Sequence, residues 1–533
     1  MKKFNTTGLC VPSKHYMVDL SEKVALIKKM VDDGEYFTIN RARQYGKTTT
    51  LYILENYLQQ DYHVLSLDFQ KLSGASFRTE ESFVKAFCRA VLQRKEKAKI
   101  PEQIVQELYG YIGRADQEAV LDELFFTLST WCKTTDKPVV MMIDEVDSAT
   151  NNQVFLDFLS QLRGAYLDRE KDPEDKTFQS VILAGVTDIK HLKSKIRDES
   201  EAKENSPWNI SADFTIDMSL SESGILKMLE EYEADHQTGM ETGFIARKIR
   251  EYTNGYPFLV SRICQLLDER LVPDPFNALS DAWTDNGVEE AVKSIIVEKN
   301  TLFDSLMGKV RDYDELRNQL KQILFKGETV AYIPYNKEQE QLLMYGFLVK
   351  NHNTIAVANR IFEMLLYNHF IGESRFTEEL RGDALDNKPE FIKGGELDIP
   401  LIMERFIRTQ EHIRNLNDEE AEKRFIEDEG REKFLTYISP IINGVGTFSV
   451  EDRNRDRRRM DVVIHYRGKR YIIELKIWNG DRYNAQGEKQ ILDYLDSYGL
   501  KTGYMLSFSF NKTKNTVVEE VHIGDKTIFE GIV

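Results

Sequence analysis

Cysteine is scarce in this chain: four in 533 residues. Cys10, Cys88, Cys132 and Cys264 lie far apart and form neither a C-x-x-C pair nor a zinc-ligand spacing. That excludes a disulfide framework and a zinc ribbon, and leaves reduced thiols as the expectation. No apolar run approaches membrane-spanning length. The N-terminal MKKFNTTGLCVPSKHYM has two lysines but no apolar stretch, so no signal peptide is read. These absences point to the cytoplasm and to no membrane partner. An excess of basic charge is also lacking, because the net charge is −17. A protein that binds DNA over its whole surface is usually basic. A nucleic-acid reading must therefore rest on a local patch, which acts only over roughly 10 Å in salt. Residues 453–459, RNRDRRR, are such a patch, and equally a solvated loop. Low-complexity tracts and internal repeats are absent too.

Hydrophobic and charged fractions of 41% and 30% are those of a globular protein with material for several cores. The length argues for two to four domains. Four short apolar runs precede residue 190: YFTIN (36–40), HVLSLDF (63–69), VVMMIDE (139–145) and SVILAGVT (180–187). Each is nearly continuous in hydrophobicity, as strands covered on both faces are. Helical patterns separate them, and DFTIDMSL (213–220) reads as a fifth strand. Strands alternating with helices give an α/β fold with a mainly parallel sheet. From 221 to about 270 the pattern is helical, broken by TNGYPF. From about 285 to 375, helices lead into FLVKNHNTIAVAN, a hairpin turning at NHNT, which suggests a winged helix. Residues 376–400 carry Gly, Pro and mixed charge and read as a linker. The strands MDVVIHY and RYIIELKIW follow, then the helix GEKQILDYLDSYG and the strand KTGYMLSFSF.

Two stretches carry chemistry. In FTINRARQYGKTTT (37–50), a strand, a loop and a helix follow one another, as a phosphate-binding loop requires. Gly46, Lys47 and Thr48 would offer backbone N–H groups, an ammonium and a metal-binding hydroxyl, with Thr49 next to them. The usual first glycine is replaced by Arg41, so by itself the stretch is equally a plain helix entry. VVMMIDE ends in Asp144 and Glu145, placing one carboxylate for a metal and one for an attacking water at the rim of the sheet. The two elements together argue against an accident.

The second stretch is residues 460–478, MDVVIHYRGKRYIIELKIW. Strand alternation puts Glu474 and Lys476 on one face. A two-residue turn at Arg467-Gly468 sets Asp461 opposite Glu474; a turn at Gly468-Lys469 sets it opposite Lys476. Either register gathers all three on one face, whereas a one-residue slip scatters them. Asp461 and Glu474 could hold Mg²⁺ or Mn²⁺, and Lys476 could orient the nucleophile. Read without relatives, the same trio is as readily a solvated salt-bridge cluster.

FNTTGLCVPSKHYMVDL (4–20), the lysine loop, VVMMIDEVDS (139–148), VILAGVTDIKHLKSKIR (181–197), SPWNI (206–210) and NGYPFLVSRICQLL (254–267) resemble the AAA-like ATPases of the additional-strand P-loop class, a bacterial group. The resemblance implies ATP and Mg²⁺ as ligands. It implies Thr187 as a γ-phosphate sensor, Arg262 as a phosphate contact, His15 and Tyr16 beside adenine, and Arg43 on a phosphate or another subunit. Asp461, Glu474 and Lys476 in D-x12-E-x-K spacing resemble the PD-(D/E)XK nuclease fold. That resemblance implies Glu432 as an auxiliary metal ligand and Gln490 and Tyr494 as a Q-x-x-x-Y pair. Five segments are expected: an ATPase core (1–220), a helical lid (221–280), a winged-helix-like region (281–380), a linker (381–410) and a restriction-endonuclease-like α/β domain (411–533). The expected activity is an ATPase coupled to a metal-dependent DNA nuclease. The alternative is a nucleotide-dependent switch or scaffold that binds DNA or protein without cutting, as an oligomer or with a protein partner.

Overall fold

A computed structural model describes residues 2–114, 119–172, 174–186, 189, 207–326, 330–373, 377–416, 427–452, 460–477, 488, 491–492, 495–496, 499–508 and 518–533. Side chains at 377, 414–416, 427–429, 451–452, 460–461 and 476–477 are not described. The chain divides into two compact units. One comprises residues 1–250, 254–284 and 344–346; the other comprises 251–253, 285–343 and 347–533.

The first unit is built on four parallel strands: β1 (Phe37–Asn40), β2 (His63–Asp68), β3 (Val139–Asp144) and β4 (Ser180–Gly185). Their order across the sheet is β1-β4-β3-β2. The strand that leads into the lysine loop and the strand that ends in the two carboxylates are thus separated by β4. Every residue of β3 and of β4 is buried, which is why these segments read as continuous apolar runs. The helices Glu80–Leu92 and Gln153–Lys171 cover the sheet with Phe83, Phe87, Phe155 and Phe158, which pack ring against ring. Thr79 and Ser82 form a capping box that fixes where the first of these helices begins.

The expected fifth strand at 213–220 does not form. The chain touches β1 at a single bridge, Phe37 to Ala212, with Ala212 N donating to Tyr36 O at 2.7 Å. Beyond it, the Arg41 guanidinium donates to Ile216 O at 2.9 Å and Phe214 stacks on Phe37. A side chain thus takes a carbonyl that a ladder would have used. The helices Glu222–His236, Thr242–Thr253 and Pro257–Glu269 follow. The TNGYPF break is a turn in which Asn254 and Gly255 both have positive φ, 46° and 71°. A β-carbon on Gly255 would meet Leu220 O at 2.2 Å, so only glycine fits.

In the second unit, the helices Thr301–Asp312, Asp314–Lys326 and Lys337–Met344 accompany a three-stranded antiparallel sheet. Its strands are β5 (Val330–Ala331), β6 (Leu348–Asn351) and β7 (Thr354–Val357), in the order β5-β7-β6. The β6–β7 hairpin turns at His352-Asn353, within NHNT. Asn359 caps the next helix, Arg360–Gly372, by accepting from Phe362 N.

The expected linker is folded instead. It holds the helices Thr377–Asp386 and Lys388–Phe391, the hairpin β8 (Ile392–Lys393) and β9 (Glu396–Leu397), and the helix Ile399–Leu416. Two of its three glycines serve that hairpin: Gly394 and Gly395 both have positive φ. Leu397, Ile399, Ile402, Met403, Phe406 and Ile407 are buried, a helical stripe that local composition masks.

The last sheet has six strands: β10 (Gly446–Asp452), β11 (Met460–Tyr466), β12 (Lys469–Ile477), β13 (Thr502–Phe508), β14 (Glu519–Ile523) and β15 (Lys526–Ile532). Their order is β10-β11-β12-β13-β15-β14, with β10 to β12 antiparallel and β12, β13 and β15 parallel. The helix Glu427–Ile442 precedes β10. Among the described residues, no helix is long and apolar enough to cross a membrane.

Candidate functional site

At the C-terminal end of β1 the chain turns through Arg41–Gly46 and enters the helix Lys47–Leu58. Gln44 and Gly46 have positive φ, 57° and 80°. These turns aim the first helical N–H groups into the loop, where an anion would meet them. Lys47 is buried, and its Nζ donates to Arg41 O at 3.0 Å and Ala42 O at 3.1 Å. Thr48 Oγ1 donates to Asp144 Oδ2 at 2.7 Å, across from β3. Asp144 Oδ1 accepts from Glu145 N at 2.9 Å, in a turn where Glu145 takes the left-handed conformation. Gly46, Lys47, Thr48, Asp144 and Glu145 are therefore brought together.

Burial sets the charges here. It pushes the Asp144 carboxyl above its ordinary range, partly offset by the Thr48 and Glu145 N–H bonds and by Lys47. It pushes Glu145 up as well, against the pull of Lys47. It pushes the Lys47 ammonium down, against Glu145, Asp147 and Asp144. Raised carboxylates mean that the folded state holds protons more tightly than the unfolded chain does. Cation-free stability should therefore fall as pH rises from about 4, the ordinary carboxylate value, through the raised values. Melting curves taken across that window should show this decline, shallower in Asp144→Asn and diminished by Mg²⁺ with nucleotide. A flat profile shared by both proteins would contradict it.

Two acids in this corner were not singled out from the sequence. Asp68, last in β2, stands directly beside Asp144 in register. Asp147 Oδ2 accepts from Val186 N at 2.7 Å. A β-carbon on Gly185 would meet Val146 at 2.9 Å and Asp147 at 3.1 Å, so the glycine lets this turn close on β4. The signal for Asp68 was an acid at the end of a second apolar run.

The lid residues brace the loop. Tyr256 OH donates to Arg43 O, Tyr45 packs edge-on to Tyr256, and Pro257 lies against Gly46. Arg43 itself is exposed. Arg262 is buried and donates to Gln265 Oε1 at 2.7 Å. Thr49 Oγ1 accepts from Cys10 N at 3.1 Å, which pins the N-terminal segment to the loop helix. Tyr16, expected beside adenine, packs as a core residue. It is buried against Phe4 and Tyr232, and its hydroxyl donates to Asp235 at 2.7 Å. His15 Nδ1 accepts from Val11 N at 2.9 Å. Thr187 lies outside the described residues.

In the second unit the β11–β12 hairpin turns at Arg467-Gly468, both with positive φ, 49° and 76°. Such a two-residue turn matches the twist of the strands. The register places Asp461 directly opposite Glu474, the first of the two alternatives above. Glu474 is 1% exposed, and neither carboxylate oxygen has a hydrogen-bond partner among the described residues. An orphaned buried carboxylate is the arrangement a cation would relieve. The same row continues through Met505 of β13 to Glu530 of β15. Glu432 is partly exposed on the helix Glu427–Ile442. The side chains of Asp461 and Lys476, and residues 453–459, Gln490 and Tyr494, lie outside the described residues. Among the described residues no group of three potential metal ligands converges.

The four-stranded parallel sheet, the lysine loop and the Thr48–Asp144 contact define a P-loop NTPase. Residues 6–368, more than half of the chain, match the family model described as AAA-like domain, and the chain belongs to that family. An uncharacterized WD repeat-containing protein of Synechocystis is 23% identical over 354 residues. The match covers 64% of this chain and only 28% of that protein, so the chain spans just over a quarter of this curated relative. Among solved structures, the Walker-type ATPase PABY2304 of Pyrococcus abyssi aligns at 13% identity over 68% of this chain and 99% of its own, with a TM-score of 0.43. The Aeropyrum pernix ORC2 protein, in ADPNP–ADP complexes, aligns at 11% over 66% and 93%, TM-score 0.37. The Thermotoga maritima RuvB Holliday junction branch migration motor aligns at 13% over 66% and 93%, TM-score 0.31.

Proposed function

We propose that the chain binds and hydrolyses ATP and couples this to metal-dependent cleavage of DNA phosphodiesters by its C-terminal sheet. The Thr48–Asp144 contact at 2.7 Å, beside the buried Lys47, is the observation that carries the ATPase half. The triphosphate lies at the start of the helix Lys47–Leu58. Lys47 exchanges two loop carbonyls for phosphate oxygens, and the helix N–H groups hold the β-phosphate. Thr48 and Asp144 hold Mg²⁺, which supplies charge to offset that of the phosphates. Glu145 orients the water whose oxygen attacks the γ-phosphorus as the β–γ bond breaks. Arg262 and Thr187 are the further candidates for phosphate contacts.

For the nuclease half, the supporting feature is Glu474, buried and without a hydrogen-bond partner among the described residues, opposite Asp461. Asp461 and Glu474 hold Mg²⁺ or Mn²⁺, which supplies Lewis acidity toward the phosphodiester. Lys476 orients the attacking water. Glu432, Gln490 and Tyr494 support the site, and the arginines of 453–459 contact the DNA backbone. The three-stranded β5–β7 sheet with its helices serves as a winged helix. The test is cleavage of linear, supercoiled and single-stranded DNA in Mg²⁺ and Mn²⁺, with and without ATP. Metal-dependent products, absent in Asp461→Asn, are expected. ATP turnover without cleavage of any substrate would transfer the reading to a nucleotide-dependent switch.

A further inference from the structure

Two residues after the buried Trp283, a cluster of charge that is buried at Glu289 and partly exposed at Asp285 and Arg470 grips the hairpin that carries Asp461 and Glu474. Trp283, buried against Tyr232, donates to the Tyr232 hydroxyl at 3.3 Å, and Tyr232 donates to Asp268 at 2.6 Å. The chain then passes into the second unit and starts the helix Asp285–Val297. Asp285 accepts a hydrogen bond from Arg470. One turn on, Glu289 accepts from Arg470 at 2.9 Å, and its carboxylate lies 2.9 Å from His465 Nδ1 without hydrogen-bond geometry. Glu289 is 7% exposed and His465 6%.

His465 and Arg470 are directly opposed across β11 and β12, as Asp461 and Glu474 are. Alternation along each strand puts both pairs on the same face of the hairpin, four residues apart, or about 13 Å. Between them lie Val463 and Ile472, buried with Ile491, Leu495, Met505 and Ile528. A second tie reaches this face. Arg360 donates to Ser449 Oγ of β10 at 2.6 Å and to Glu251 at 2.7 Å, and Ser449 stands opposite Val463.

Buried ion pairs add little net stability, because desolvation offsets their attraction, but removing one partner is costly. Such a cluster fixes geometry. We infer that Asp285 and Glu289 are positioning residues: they hold His465 and Arg470, and so set the hairpin and its Asp461–Glu474 pair according to the nucleotide state of the lid. As regulation of the carboxylate site, this rests on the nuclease reading above; the mechanical link between helix and hairpin does not.

The test is amide hydrogen exchange across residues 460–477 in the full chain, with and without a non-hydrolysable ATP analogue and Mg²⁺. Nucleotide should change exchange in the wild type by roughly fivefold or more. In Glu289→Gln combined with Arg470→Met, which removes both of these charges and leaves the partly exposed Asp285 without its arginine, the change should vanish while ATP affinity holds. Glu289→Gln alone, which keeps the Asp285–Arg470 bond, should retain part of it. No nucleotide-dependent change in the wild type, or an undiminished one in the double variant, overturns the inference. DNA cleavage measured on the same proteins separates the outcomes. Coupled exchange without cleavage ends the nuclease reading and leaves the link; cleavage without coupled exchange does the reverse.

Discussion

Lys47→Ala should lower ATP affinity by roughly a hundredfold while leaving the chain folded. The lysine is buried at the head of the helix that follows the loop, and the Asp144–Glu145–Asp147 corner is the chief source of negative charge near it. A triphosphate brought into that corner adds negative charge to carboxylates already pushed toward neutrality by burial. Without the ammonium, the exposed Arg43 and the N–H dipoles are what the loop keeps to offset that charge. A charged hydrogen bond in such a place contributes about 3 kcal/mol, which is the hundredfold loss. Stability should change little, because the lysine's own desolvation disappears with its two hydrogen bonds to Arg41 O and Ala42 O. Titration of a fluorescent ATP analogue measures the first quantity and thermal melting the second. Affinity within threefold of wild type would remove this loop from the nucleotide site.

Much of this corner was legible because its signals are local. A buried strand reads as an apolar run, its rim as the charged residue that ends it, and a loop–helix junction as Gly-Lys-Thr. The register of the β11–β12 hairpin was legible for a similar reason: Arg467-Gly468 can be enumerated as a turn, and each choice fixes every opposite pair. What failed depends on partners distant in sequence. Residues 213–220 have the composition of a strand, yet Arg41, 175 positions earlier, takes a carbonyl from them. Residues 381–410 look like a linker because the surface of the helix Ile399–Leu416 is charged. Its apolar stripe acquires meaning only against β13 and β15, where Met403 and Ile407 approach Gly531. β10, β14 and β15 were not read at all, since short strands with mixed polarity declare themselves only once neighbours supply the ladder. The lock of Tyr16 to Asp235 likewise spans 219 positions, which turned an expected ligand contact into a core residue.

Glu474→Gln should do two opposite things at once, and the combination separates a metal ligand from a structural acid. In cation-free protein the glutamate stands buried with both oxygens unpartnered among the described residues, next to Leu475 and Ile473, which face the other way into the core. A neutral amide of equal size removes an uncompensated charge from that place. The gain is about 1–3 kcal/mol, or about 2–4 °C in melting temperature for each kcal/mol. The same change withdraws one of the two carboxylates that would bind the divalent cation beside the phosphodiester. Loss of several kcal/mol of charge stabilisation in the transition state amounts to roughly a thousandfold drop in cleavage. Added Mn²⁺ should stabilise the wild type and leave the variant unmoved, so the two melting curves should converge as the metal is raised. An acid held in place by a hidden cationic partner behaves the other way: its amide variant melts lower, with or without metal. That result would show that Glu474 balances charge within the fold, and it would leave Asp461 without the partner that metal chemistry at this hairpin requires.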